Sequence, residues 1–76
     1  MSAHRFDGFT PISSGHIDGA KYSPMDRKIT VRFQNGYQYD VHGASPAAWA
    51  EFMSAPSQGE HYHTIFKEGY HVERVK

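Results

Sequence analysis

The chain has 76 residues, eight basic and eight acidic side chains that cancel, six histidines and no cysteine. It is one small domain at most, has no thiols for disulfides or metal thiolates, and lacks the basic excess with which dedicated duplex-DNA binders neutralise phosphate. No apolar run approaches the roughly 20 residues that span a bilayer. The opening MSAHRFDGFTP, with Asp7 and no hydrophobic stretch, does not read as a signal peptide.

Residues 1–11 are expected to form a flexible arm, because Gly8 and Pro11 interrupt them and no hydrophobic period appears. Phe6 and Phe9 are the side chains there able to tuck against the body. Residues 12–76 are expected to fold as a single domain. Its thin core must draw on the aromatic residues, which are 14% of the chain. A first strand is predicted through SSGHIDGAKY, anchored by Ile17 and Tyr22 and followed by a turn at SPMD. RKITVRF then sets Ile29, Val31 and Phe33 against Lys28, Thr30, Arg32 and Gln34, the alternation of a half-buried strand. YQYDVH alternates likewise, with Tyr37, Tyr39 and Val41 opposed to Gln38, Asp40 and His42. Asn35-Gly36 between them signals a central hairpin over residues 27–42.

The loop length decides where the tyrosines lie. A two-residue Asn35-Gly36 loop pairs Phe33 with Gln38 and exposes Tyr37 and Tyr39 on the outer sheet surface. A three-residue loop, Gln34 to Gly36 with Gly36 left-handed, pairs Phe33 with Tyr37 and puts all six apolar residues on one face. One residue of slip flips the whole set. The three-residue loop is preferred because it leaves one coherent apolar face and one polar face.

SPAAWAEFMSAP reads as a helix: Ser45 is an N-cap, Pro46 suits the first turn and Pro56 marks the stop. Trp49, Phe52 and Met53 form its apolar stripe. A second helix opens at Ser57 with Glu60 as a capping box, carries Tyr62, Ile65 and Phe66 at the same spacing, and ends at Gly69. YHVERV closes the chain as a short strand with Tyr70 and Val72 on one side.

Several residue groups invite chemistry. His61 and His63, with His71 nearby, suggest a metal, yet residues two apart lie about 200° apart around a helix and cannot share an ion unless the segment is extended. Ser13, Ser14, His16 and Asp18 contain the letters of a catalytic triad without its geometry, and neither a nucleophile elbow nor a phosphate loop is present. No catalytic residue, metal or cofactor is therefore expected. The third group is the polar sheet face, where Lys28, Thr30, Arg32 and Gln34 stand beside Gln38, Asp40 and His42. It is suited to phosphates or to a protein partner, with Asp40 working against a purely anionic ligand. In the exposed register Tyr37 and Tyr39 would join it as a stacking platform.

The order of these features resembles the KTSC domain, a module named for its occurrence at the C-terminus of some lysyl-tRNA synthetases and found alone in bacterial and phage proteins. The resemblance runs from about Ser13 to Val75. It rests on Ser13-Ser14 with Ile17 and Tyr22, Phe33-x-x-Gly36 with Tyr37-x-Tyr39, the helix from Pro46, and Ala55-x-Ser57-x-Gly59 leading to Tyr62, Phe66 and Tyr70. The family's Tyr-x-Tyr usually lies further past the glycine, so Tyr39 and Val41 are alternative counterparts, and His63 stands where asparagine is common. The synthetase connection implies RNA as a ligand by association only.

The expected fold is α+β: a small antiparallel sheet of three to four strands with two helices packed on one face. The expected function is a non-enzymatic cytoplasmic binding module for RNA or another nucleic acid, through Lys28, Arg32, Gln38 and His42 with Tyr37 and Tyr39. The alternative is a small protein-binding regulator or inhibitor, of the kind phages encode, that docks on a host macromolecule.

Overall fold

Period-two alternation and tight turns build most of this molecule. The structure is a computed structural model that describes residues 8–76. Five strands, β1 (Thr10–Ser14), β2 (Ile17–Ser23), β3 (Lys28–Phe33), β4 (Gln38–His42) and β5 (His71–Arg74), form one sheet in sequence order. Every neighbouring pair is antiparallel. Helix α1 (Pro46–Ser54) and a second helix, α2, connect β4 to β5. α2 is α-helical over Gln58–His61, π-helical over Tyr62–Phe66 and α-helical again over Lys67–Gly69. Among the described residues, no helix is long and apolar enough to cross a membrane.

The α+β architecture is as expected, with more strands. The segment read as one strand over residues 13–22 folds back at Gly15-His16, so Ser14 ends β1 and Ile17 begins β2. Thr10 and Pro11, assigned to the arm, pair with Ala20 and Gly19. Phe6 lies outside the described residues. A β-bulge between Ile17 and Gly19 explains why Ile17 and Tyr22, of opposite parity, both serve the core. Ile17 comes opposite Phe33, while Ala20 and Tyr22 come opposite Val31 and Ile29.

The β3–β4 register is the three-residue one. Val31 pairs with Tyr39 and Ile29 with Val41, the Phe33 amide donates to the Tyr37 carbonyl at 2.9 Å, and Gly36 has φ 93°. Ile17, Ala20, Ile29, Val31 and Val41 therefore face the helices and are buried. α1 contributes Ala48 and Phe52, and α2 contributes Tyr62 and Phe66. Full burial of each large apolar side chain stabilises the fold by about 1.5–3 kcal/mol. Trp49 packs partly buried and stacks on Tyr22 at 5.7 Å, while the Tyr22 hydroxyl donates to the Ala44 carbonyl at 2.8 Å.

Capping follows the sequence. Ser45 Oγ accepts from the Ala48 amide, and Ser57 Oγ from the Glu60 amide. The stripe expected on α2 is different. In the π turn the Lys67 amide donates to the Tyr62 carbonyl, five residues back. That wider turn keeps Tyr62 and Phe66 inward and leaves Ile65 44% exposed. α2 does end at Gly69, but through extended Tyr70 and without a left-handed glycine.

Candidate aromatic binding site

The hairpin tip and α2 meet beyond the end of the core. Asn35 Oδ1 accepts from the Tyr37 amide at 3.0 Å, and the Gly36 amide donates to the Phe33 carbonyl at 2.9 Å, so the loop is held from within. The Gln34 amide donates to the His16 carbonyl at 2.7 Å, tying this tip to the β1–β2 turn. Tyr37 is the first residue after the loop. It shares the helix-side face with Phe33 and Tyr39, yet lies past the cover of α2 and is 42% exposed. The Arg74 guanidinium stacks 3.9 Å from its ring centroid.

Rings from β3, β4 and α2 interlock behind it. Phe33 meets Tyr39 at 5.5 Å and Tyr62 at 5.2 Å, both edge to face, the arrangement that aromatic quadrupoles favour. Tyr70 sets its edge against Phe66 at 5.4 Å. Between these rings opens a cavity of about 440 Å³, walled by Phe33, Tyr37, Tyr39, Tyr62, Tyr70 and Val72 and rimmed by Asn35, His63, Lys67 and His71. The size is that of ordinary small-ligand sites. No carboxylate is among the lining residues.

The polar groups around the cavity are donors or neutral. Burial pushes the Tyr62 phenol above its ordinary value of 10.0, with neighbouring Tyr39 adding to the effect, so its hydroxyl stays protonated. Among the described residues, Tyr22 is the one tyrosine whose hydroxyl donates within the chain, leaving the cavity phenols open to a ligand. The arrangement can stack a flat ring, hydrogen-bond its edge through Asn35 and the phenols, and attract an anionic group through Lys67 and Arg74.

The site residues named from sequence divide between two surfaces. Tyr37 and Tyr39 line the cavity. Lys28, Arg32, Gln38 and His42 occupy the opposite side of the sheet, where the charges are matched locally. Lys28 Nζ lies 3.2 Å from Asp40 Oδ2, and His42 Nε2 lies 3.1 Å from Glu73 Oε1. Arg32 Nε donates to Asp18 Oδ1 at 2.7 Å, and its guanidinium also lies 4.3 Å from the Phe9 ring centroid. Buried Asp40 accepts from Thr30 Oγ1 at 2.7 Å as well. A Cβ at Gly19 would come 3.2 Å from Arg32 Nη2, so the guanidinium would have to shift by a few tenths of an ångström.

The other groups singled out from sequence also have structural places. Ser14 Oγ accepts from the Gly59 amide at 2.9 Å. His61 packs half-buried against Phe52 and Phe66, whereas His63 stands at the cavity rim. Sequence reasoning missed His63, Lys67, Tyr70 and Arg74 as neighbours of Tyr37. Tyr70 was within reach as a piece of the family pattern; the rest depend on how α2 and β5 are placed.

The family model for the KTSC domain matches residues 13–70. The crystal structure of a KTSC domain protein from Yersinia pestis superposes with a TM-score of 0.80 at 28% identity, covering 90% of this chain and 96% of that one. No curated protein matches the chain.

Proposed function

The chain belongs to the KTSC domain family, and on that premise we propose that it is a non-enzymatic binding module whose aromatic cavity takes an unstacked base of single-stranded RNA. The observation that carries this reading is the cavity of about 440 Å³ walled by four tyrosines and Phe33 and lacking a carboxylate in its lining. Single-strand readers stack splayed bases on such rings and hold the backbone with nearby cations. Lys67 at the rim and Arg74 over Tyr37 stand where those phosphates would pass. The polar sheet face suits this role less well, because Lys28 and Arg32 already face Asp40 and Asp18. RNA is favoured over DNA by the family's synthetase connection. A cysteine-free domain suits a reducing cytoplasm, of a bacterium or a phage-infected one, and we place it there.

The test is fluorescence anisotropy with labelled single-stranded RNA of mixed sequence, starting at low salt. Tyr37→Ala, at an exposed ring, should weaken binding by about 1–3 kcal/mol, the value of one base–aromatic stack. Lys67→Ala should reduce the salt slope by about 0.7, the counterion term for one phosphate on a single strand. Lys28→Ala should leave both unchanged. Absence of binding to every strand at low salt would overturn the reading in favour of the protein-binding regulator. Loss on Lys28→Ala with Tyr37→Ala neutral would move the interface to the polar face.

A further inference from the structure

On the polar side of the sheet, the β4–β5 ladder sets His42 directly opposite His71, at the start of the edge strand. Strand alternation puts Glu73 on the same face as His71. The two imidazole rings lie 5.3 Å apart between centroids, tilted by 33°. His42 Nε2 is 3.1 Å from Glu73 Oε1, and the ligand atoms of all three residues fall within 4.8 Å of one another. We propose that His42, His71 and Glu73 form a binding site for a divalent transition-metal ion, with Zn²⁺ the best fit.

The chemistry of the donors selects the ion. Two imidazoles and one carboxylate suit Zn²⁺ and its late first-row neighbours, whereas Mg²⁺ and Ca²⁺ prefer oxygen throughout. Three protein ligands leave a fourth tetrahedral position to water. Bonds of about 2.0–2.1 Å place tetrahedral ligand atoms roughly 3.3 Å apart. The His42–Glu73 distance is already there, and the widest separation must close by roughly 1.5 Å. Torsional adjustment of a solvent-facing imidazole supplies that at small cost. Both backbones are pinned by the sheet, so the closure falls on side chains alone.

Nearby charge does not oppose a dication. Lys28 lies in register with His42, but Asp40 sits 3.2 Å from its ammonium. Asp40 itself lies in register with Glu73 and adds a second carboxylate beside the site. His42 and Glu73 keep 37% and 57% of their side-chain surface, so an ion enters from solvent directly. Strand pairing, which no spacing rule for His61 and His63 addresses, brings these ligands together.

The experiment is isothermal titration of the tag-free chain with ZnCl₂ in a non-coordinating buffer. One equivalent should bind, and His42→Ala and His71→Ala should each weaken it by at least about tenfold, the loss that removal of even a supporting group causes at metal sites. His61→Ala and His63→Ala should bind like the parent chain. His71 also borders the aromatic cavity, so His42→Ala, which leaves that lining intact, separates this site from RNA binding. Circular dichroism of His42→Ala should match the parent and exclude misfolding as the cause. No heat with the parent chain, or an affinity indifferent to His42→Ala, would overturn the proposal.

Discussion

The Gly59 amide, in the first turn of α2, donates to Ser14 Oγ at the end of β1 at 2.9 Å, across 45 residues of sequence. The two residues belong to separate pieces of the family pattern, and they meet because the β1–β2 hairpin brings its tip beneath the helix. Ser57 Oγ receives the next amide, of Glu60, so hydroxyls from two parts of the chain satisfy successive donors at one helix start. Ser14→Ala should cost about 1 kcal/mol, as loss of a helix cap does. A lowered urea midpoint at constant m-value would show it; an unchanged midpoint would mean that water replaces the hydroxyl without penalty.

Gly36 offers a cleaner backbone test. Its φ is 93° and a Cβ there would meet nothing within 4 Å, so any penalty comes from conformation and not from crowding. Gly36→Ala should destabilise the domain by about 1–2 kcal/mol, and Gly36→Asn by less, because asparagine enters the left-handed region more readily. Melting temperatures of the two variants should rank in that order. Equal temperatures would imply that the hairpin tip relaxes to another loop.

Tyr62 makes stability depend on alkaline pH. Burial, with Tyr39 adding to it, raises its folded pKa above 10.0, the value expected for the unfolded chain. Below that value both states keep the proton, and the full stability is present. Above it the unfolded chain loses the proton first, binds fewer protons than the folded one, and gains relative stability. The unfolding free energy should therefore fall as pH rises from 10.0 toward the folded pKa. Urea denaturation across that range should show the decline, and Tyr62→Phe should flatten it. A Tyr62→Phe profile as steep as the parent's would assign the decline to other groups.

Alternation and turn chemistry were legible in the sequence. Ile29, Val31, Phe33, Tyr37, Tyr39 and Val41 make a coherent face in only one register, and the molecule adopts it. Ser45, Pro46 and Ser57 announced the helix starts. The fold-back at Gly15-His16 was hidden because Ile17 and Tyr22 suggested a continuous strand, and parity arguments cannot see the bulge that reconciles them. The π turn was equally silent: Tyr62, Ile65 and Phe66 fit an ordinary helical stripe, and that spacing does not announce the wider turn that leaves Ile65 exposed.

For the candidate sites the division is sharper. Period-two patterning states which side of the sheet a residue takes, but not whether that side is covered at its end. Tyr37 and Tyr39 thus share the core face and still border an open cavity, and Tyr37 stays 42% exposed. Local sequence determined the β3–β4 hairpin, the helix starts and the face each hairpin side chain takes. Tertiary structure alone decided that Arg74 stacks on Tyr37, that Asp18 and Asp40 face the nearby cations, and that His42 meets His71. The physical reason is that such contacts depend on distances between separately folded segments, which no local period contains.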